Sequence, residues 1–145
     1  MTKPEIHFYS QHPSFLIKNK NVLKKWVKDT IISENKTPGQ ISIIFCSDDD
    51  LLDLNKQYLN HDTLTDIITF DYSEKDILNG DVFISIDRVN ENAISFDVKF
   101  QNELNRVIIH GVLHLCGYKD KTKSDKMNMR SKEDFYLELN PQQKN

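Results

Sequence analysis

The sequence predicts an α+β domain in which about four short strands form a mixed sheet against several helices. Three observations lead there. Compact runs of β-branched and aromatic residues occur four times, with stretches of helical spacing between and after them. The two kinds of element do not alternate strictly, as they would in a doubly wound sheet. The chain has 145 residues, 38% apolar and 28% charged, enough for one continuous core, and neither repeat nor linker divides it. Residues 1–145 are therefore read as a single domain.

Ile6-His7-Phe8-Tyr9 is the first strand. From about Phe15 to Ser33, Val22, Leu23, Trp26, Val27, Thr30 and Ile31 keep helical spacing. Lys18, Lys20, Lys24, Lys25 and Lys28 form the wet side of that helix. Thr37-Pro38-Gly39 reads as the turn that ends it. Ile41 to Cys46 is a buried strand. Ser47-Asp48-Asp49-Asp50 offers cap oxygens and first-turn acids to a helix carrying Leu51, Leu52, Leu54 and Tyr58. Asp66-Ile67-Ile68-Thr69-Phe70 and Gly80 to Ile86 are the third and fourth strands. A long helical stretch starts at Asp87, is interrupted near Phe96 to Val98, and runs through Val107, Ile108, Val112 and Leu115 to stop at Gly117. A last helix spans about Ser124 to Leu139.

Composition excludes several classes. A protein that captures nucleic acid through its overall charge is basic, whereas this chain carries a formal net charge of −3. Any such contact must come from a local patch. No run approaches the roughly 18 apolar residues of a membrane span. The first ten residues hold no apolar signal core, which predicts a cytoplasmic protein. Cys46 and Cys116 form no CxxC pair and read as two reduced thiols rather than a disulfide or a cysteine-rich zinc module.

Residues 110 to 120 read His-Gly-Val-Leu-His-Leu-Cys-Gly-Tyr-Lys-Asp. Histidines at i and i+4 lie about 40° apart around a helix, so His110 and His114 share a face and can grip one ion. Continued as helix, position 120 would sit roughly 80° away from that face. Gly117 can take the left-handed conformation that ends a helix and turns the chain, which lets Asp120 return as third ligand. Two imidazoles and one carboxylate leave an open position for water or substrate, as catalytic zinc sites do. The predicted centre is thus one Zn²⁺ per chain, at the end of the long helix. His7, His12 and His61 read as surface or strand residues, His61 in a polar loop able to approach the site.

The spacing overlaps that of metzincin proteases, where a glutamate after the first histidine is the general base. Here that position is Gly111, so peptide hydrolysis lacks its usual proton acceptor.

Several blocks in order resemble the YbeY family of bacterial metal-dependent endoribonucleases. They are Leu54 to Tyr58, Thr65 to Phe70, Gly80 to Ser85, and His110 to Tyr118. The resemblance implies a three-ligand zinc site and single-strand RNA cleavage. It also implies a role in 16S rRNA 3′-end maturation and ribosome quality control, with ribosomal RNA and the small ribosomal subunit as partners. Two departures stand out. The family's third ligand is commonly a histidine, and its position here holds Asp120. The family commonly has an arginine directly after the position of Tyr58, where this chain has Leu59. Only Arg88, Arg106 and Arg130 are left to supply a guanidinium.

Between Lys119 and Lys132 six basic residues face two acids, Asp120 and Asp125. Lys119, Lys121 and Arg130 are the candidate substrate contacts; a solvated helix face is an equally good account of the run. Asp66, Asp71 or Asp81 are candidates to orient the histidine rings. No general base is named by the sequence beyond a water on the ion. The alternatives that stay open are a ribosome-assembly partner with a structural ion, and a metzincin-like protease.

Overall fold

The computed structural model describes residues 3–59 and 65–141. His61 and the side chain of Leu59 lie outside the described residues. The elements are β1 (Glu5–Ser10), α1 (Lys20–Ser33), β2 (Thr37–Cys46), α2 (Asp48–Leu59), β3 (Ile67–Asp71), β4 (Ile77–Ser85), α3 (Ile86–Phe96), α4 (Phe100–Leu115) and α5 (Lys123–Glu138).

The four strands form one mixed sheet in the order β1-β2-β4-β3. β1, β2 and β4 run parallel, and β3 pairs antiparallel with β4 at the edge. Alternation sorts the side chains onto two faces. Ile6, Phe8, Ile41, Ile43, Phe45, Val82 and Ile84 join Leu23, Trp26, Ile108, Val112 and Tyr136 in the main core beneath α1, α4 and α5. On the other face Cys46, Leu51 and Ile68, with Leu54, Phe70 and Phe83, form a smaller core under α2. The α+β architecture with a four-stranded mixed sheet is as the sequence predicts.

Two boundaries differ. α1 begins at Lys20 rather than near Phe15, because Asn19 takes a left-handed backbone (φ 57°) that no continuous helix can pass through. Phe15 still packs on the main core from the preceding segment. Thr37-Pro38-Gly39 is not a turn but the first part of β2. The turn falls earlier, at Asn35 with φ 62°. Proline is tolerated at a strand start and beside a bulge, and the register shifts between Pro38 and Ile41. There the Asn79 side chain accepts from the Gln40 N–H at 2.8 Å, replacing a ladder bond.

Local chemistry sets the helix ends near the site. Ser47 and Asp50 cap α2 reciprocally, Asp50 N–H donating to Ser47 Oγ at 3.1 Å. Thr122 and Asp125 form the same box at the start of α5. The predicted long helix is indeed broken, since Asp97 (φ 55°) ends α3 and α4 starts afresh at Phe100.

Candidate metal centre

The last turn of α4 builds the site. The Tyr118 N–H donates to Leu113 O at 3.1 Å and the Gly117 N–H to His114 O at 3.0 Å, the paired bonds of a Schellman stop. Gly117 has φ 109°, open to glycine and strained for other residues. The chain then runs without regular structure through residues 118–120, and Asp120 comes back to the helix face it has just left. His114 Nε2 lies 3.2 Å, and His110 Nε2 3.3 Å, from the same oxygen, Asp120 Oδ2.

Both rings are held from behind. His110 Nδ1 is 2.7 Å from Glu133 Oε2, and His114 Nδ1 is 2.9 Å from the Tyr118 carbonyl. Neither a carboxylate nor a carbonyl can donate, so both Nδ1 atoms carry a hydrogen, and each neutral ring has its lone pair on the Nε2 that faces Asp120. This tautomer pair is what a cation requires. One ligand atom from each of His110, His114 and Asp120 lies within 4.8 Å of the others, so the trio can hold a metal ion. All three residues are partly buried.

The ring partners are not those expected. Asp71 instead accepts from the Ser73 N–H at 2.9 Å, and Asp66 lies 3.5 Å from the Asn92 amide nitrogen. The sequence did not point to Glu133: it sits on α5, 23 residues from His110. The only signal was an acid on the helix after the motif, one turn-facing position among many. Asp125 sits in the capping box of α5, outside the His110, His114 and Asp120 trio.

The site opens into a cleft of about 1130 Å³ lined by the edge strand β3, α4 and α5. Lys121 and Arg130, two of the three candidate substrate contacts, line it, and Lys126 joins them. Lys119 does not: its side chain is exposed, between the partly buried Tyr118 and Asp120. Of the three arginines, Arg88 is paired with Asp48 and Arg106 with Glu133 and Asp134. Arg130 forms no ion pair among the described residues.

Charge in the cleft is strongly coupled. Burial opposes a charge on His110, but the Glu133 hydrogen bond and the nearby Asp120 and Asp66 raise its pKa overall. Burial pushes Asp66 up, and Glu133 and Asp120 add to the rise while His110 opposes it. Glu103 is raised by burial and by Asp66. Cys46 and Cys116 are free thiols pushed up to about 12 by burial, which makes them poor ligands and nucleophiles.

Gly111 faces the sheet. A Cβ there would meet Val82 Cγ1 at 2.7 Å and Ile67 Cδ1 at 2.9 Å. A protease-type glutamate has no room at this position, and its direction would be into the core.

Known proteins extend the comparison. Residues 7–140 match the family described as Endoribonuclease YbeY. An endoribonuclease YbeY of Flavobacterium psychrophilum is 58% identical over 125 residues, 86% of this chain and 89% of that protein. One from Christiangramia forsetii is 48% identical over 139 residues, 96% of each. The solution structure of a Thermotoga maritima protein is similar with a TM-score of 0.65 and 29% identity, covering 92% of this chain and 87% of that one. With a fold, a histidine pair and near full-length relatives in agreement, this chain belongs to the endoribonuclease YbeY family.

Proposed function

We propose that this single domain is a metal-dependent endoribonuclease that cleaves single-stranded RNA. Its place would be in 16S rRNA 3′-end maturation and ribosome quality control in the cytoplasm, on the small ribosomal subunit. His110, His114 and Asp120 would hold the ion, with Zn²⁺ first in line for a site of two imidazoles and one carboxylate. The observation that carries the proposal is the convergence of two Nε2 atoms on one Asp120 oxygen inside a cleft that Lys121, Lys126 and Arg130 also line.

A bound divalent ion would supply Lewis acidity, stabilising charge on a phosphoryl oxygen. The rest of the work falls to the chain. Lys121, Lys126 and Arg130 place positive charge on the cleft wall, where a phosphodiester needs counter-charge. Arg130, in no ion pair among the described residues, offers the planar fork that suits a phosphate. Asp66 and Glu103, both raised by burial, are the cleft carboxyls best suited to hold a proton. Glu133 and the Tyr118 carbonyl keep the imidazoles aimed.

The test is cleavage of a single-stranded ribosomal RNA fragment by wild type and His114→Ala, purified in parallel. The variant should lose roughly 100-fold or more of the rate. Equal cleavage by both proteins contradicts the proposal. Loss of cleavage with full rescue of rRNA maturation in cells would instead make the chain an assembly partner.

A further inference from the structure

We infer that Glu133 is a positioning residue for the centre: clamped by Arg106, it holds His110 as the Nδ1–H tautomer and so keeps the Nε2 lone pair pointed at the cation. The inference rests on the metal reading above and concerns which residue makes that site competent.

The two imidazoles are supported differently. His114 donates from Nδ1 to a backbone carbonyl, which no side-chain change can turn into a donor. His110 depends on a side chain. Glu133 Oε2 takes the His110 hydrogen at 2.7 Å, while its Oε1 accepts from Arg106 Nη1 at 2.8 Å. The Glu133 side chain is only 6% exposed, so water cannot stand in for either neighbour. Arg106 is fixed independently, because its Nη2 donates to Asp134 at 2.8 Å.

Both neighbours of position 133 are therefore donors, and only a group with two acceptor oxygens satisfies both. A carboxylate does so; a carboxamide cannot. In Glu133→Gln the single oxygen must choose. The guanidinium is always charged and stays held by Asp134, so it keeps the oxygen. The amide NH₂ then faces His110 Nδ1, which must become an acceptor. The ring hydrogen moves to Nε2, where it blocks the lone pair meant for the ion. Removing the guanidinium as well, in Arg106→Met/Glu133→Gln, lets the amide turn its oxygen to His110 and restores the first tautomer. A role in packing alone predicts the opposite, a double variant worse than either single one.

Two readouts test this. Nitrogen-15 NMR of the imidazoles, in metal-free protein in alkaline solution, reports the tautomer. Competition for Zn²⁺ against a chromophoric chelator reports affinity. Glu133→Gln should move the His110 hydrogen to Nε2 and weaken Zn²⁺ binding by about 10- to 100-fold. The double variant should regain the Nδ1–H form and most of the affinity. Glu133→Gln that keeps the Nδ1–H tautomer, or a double variant that binds Zn²⁺ more weakly than Glu133→Gln, overturns the inference. Wild type that takes up no Zn²⁺ would refute the metal reading instead, and the tautomer measurement would still judge Glu133.

Discussion

Glu34, at the end of α1, gathers three donors from the other end of the chain. Its carboxylate accepts from Tyr118 at 2.6 Å, from Tyr136, and from Lys132 at 3.3 Å. Tyr118 is the residue whose carbonyl receives His114 Nδ1, so this contact also braces the metal centre. Burial, the largest influence, pushes the Glu34 pKa up, but the two hydroxyls and the ammonium prevail and hold it below the ordinary glutamate value. Burial, and with it the bond to the Glu34 carboxylate, pushes the Tyr136 hydroxyl up to about 12 against the opposing pull of Ser33 and Lys132. A carboxyl with a depressed folded pKa stabilises the protein above its unfolded pKa, about 4.3, and loses that contribution as pH falls through the folded value. Urea unfolding of wild type and Glu34→Gln should therefore show a stability gap near neutral pH that narrows on acidification below about pH 4.3. A gap that stays constant with pH would show that the Glu34 charge contributes nothing. Legibility at this scale follows sequence distance. His110, His114 and Asp120 lie within 11 residues, so helical spacing plus one glycine reveals them. Glu133 and Glu34 meet the site only through tertiary packing, and no local pattern marks them.

The end of α4 was legible for a physical reason: a glycine with positive φ and two fixed backbone bonds make a stereotyped stop. The first turn of β2 was not, because proline and glycine signal turns by propensity while a bulge admits both into a strand. The start of α1 was hidden for a similar reason, since apolar periodicity continues past a residue whose backbone is left-handed. At Gly111 helix and sheet lie close together. Alanine gains up to about 1 kcal/mol in helix propensity over glycine. Its Cβ, however, would press into Val82, a stiff and fully buried side chain. Overpacking of this kind costs about 1–3 kcal/mol, so the loss should outweigh the gain. Gly111→Ala is expected to lower the thermal midpoint by a few degrees, roughly 2–4 °C per kcal/mol at this size. An unchanged or higher midpoint would mean that α4 can lift from the sheet at little cost.

Across the whole molecule, the sheet order decides what meets what. β3 returns antiparallel along β4 and brings Asp66 and Thr69 beside the end of α4. α5 folds back to supply Lys126, Arg130 and Glu133 to the cleft from one helix face. On a chain of net charge −3, and in a cleft that also holds five carboxylates, the counter-charge open to a polyanion is Lys121, Lys126 and Arg130. The sequence announced the strands, the helices and the three converging residues, whereas the sheet order and the bracing of the rings come from contacts far apart along the chain. The central claim is that His110, His114 and Asp120 share one cation. It is tested most directly by crystals grown with Zn²⁺ and measured across the zinc absorption edge. A single anomalous peak about 2.0–2.2 Å from His110 Nε2, His114 Nε2 and an Asp120 oxygen is the predicted result. A peak elsewhere, or Asp120 turned away with no other group completing the set, would contradict it.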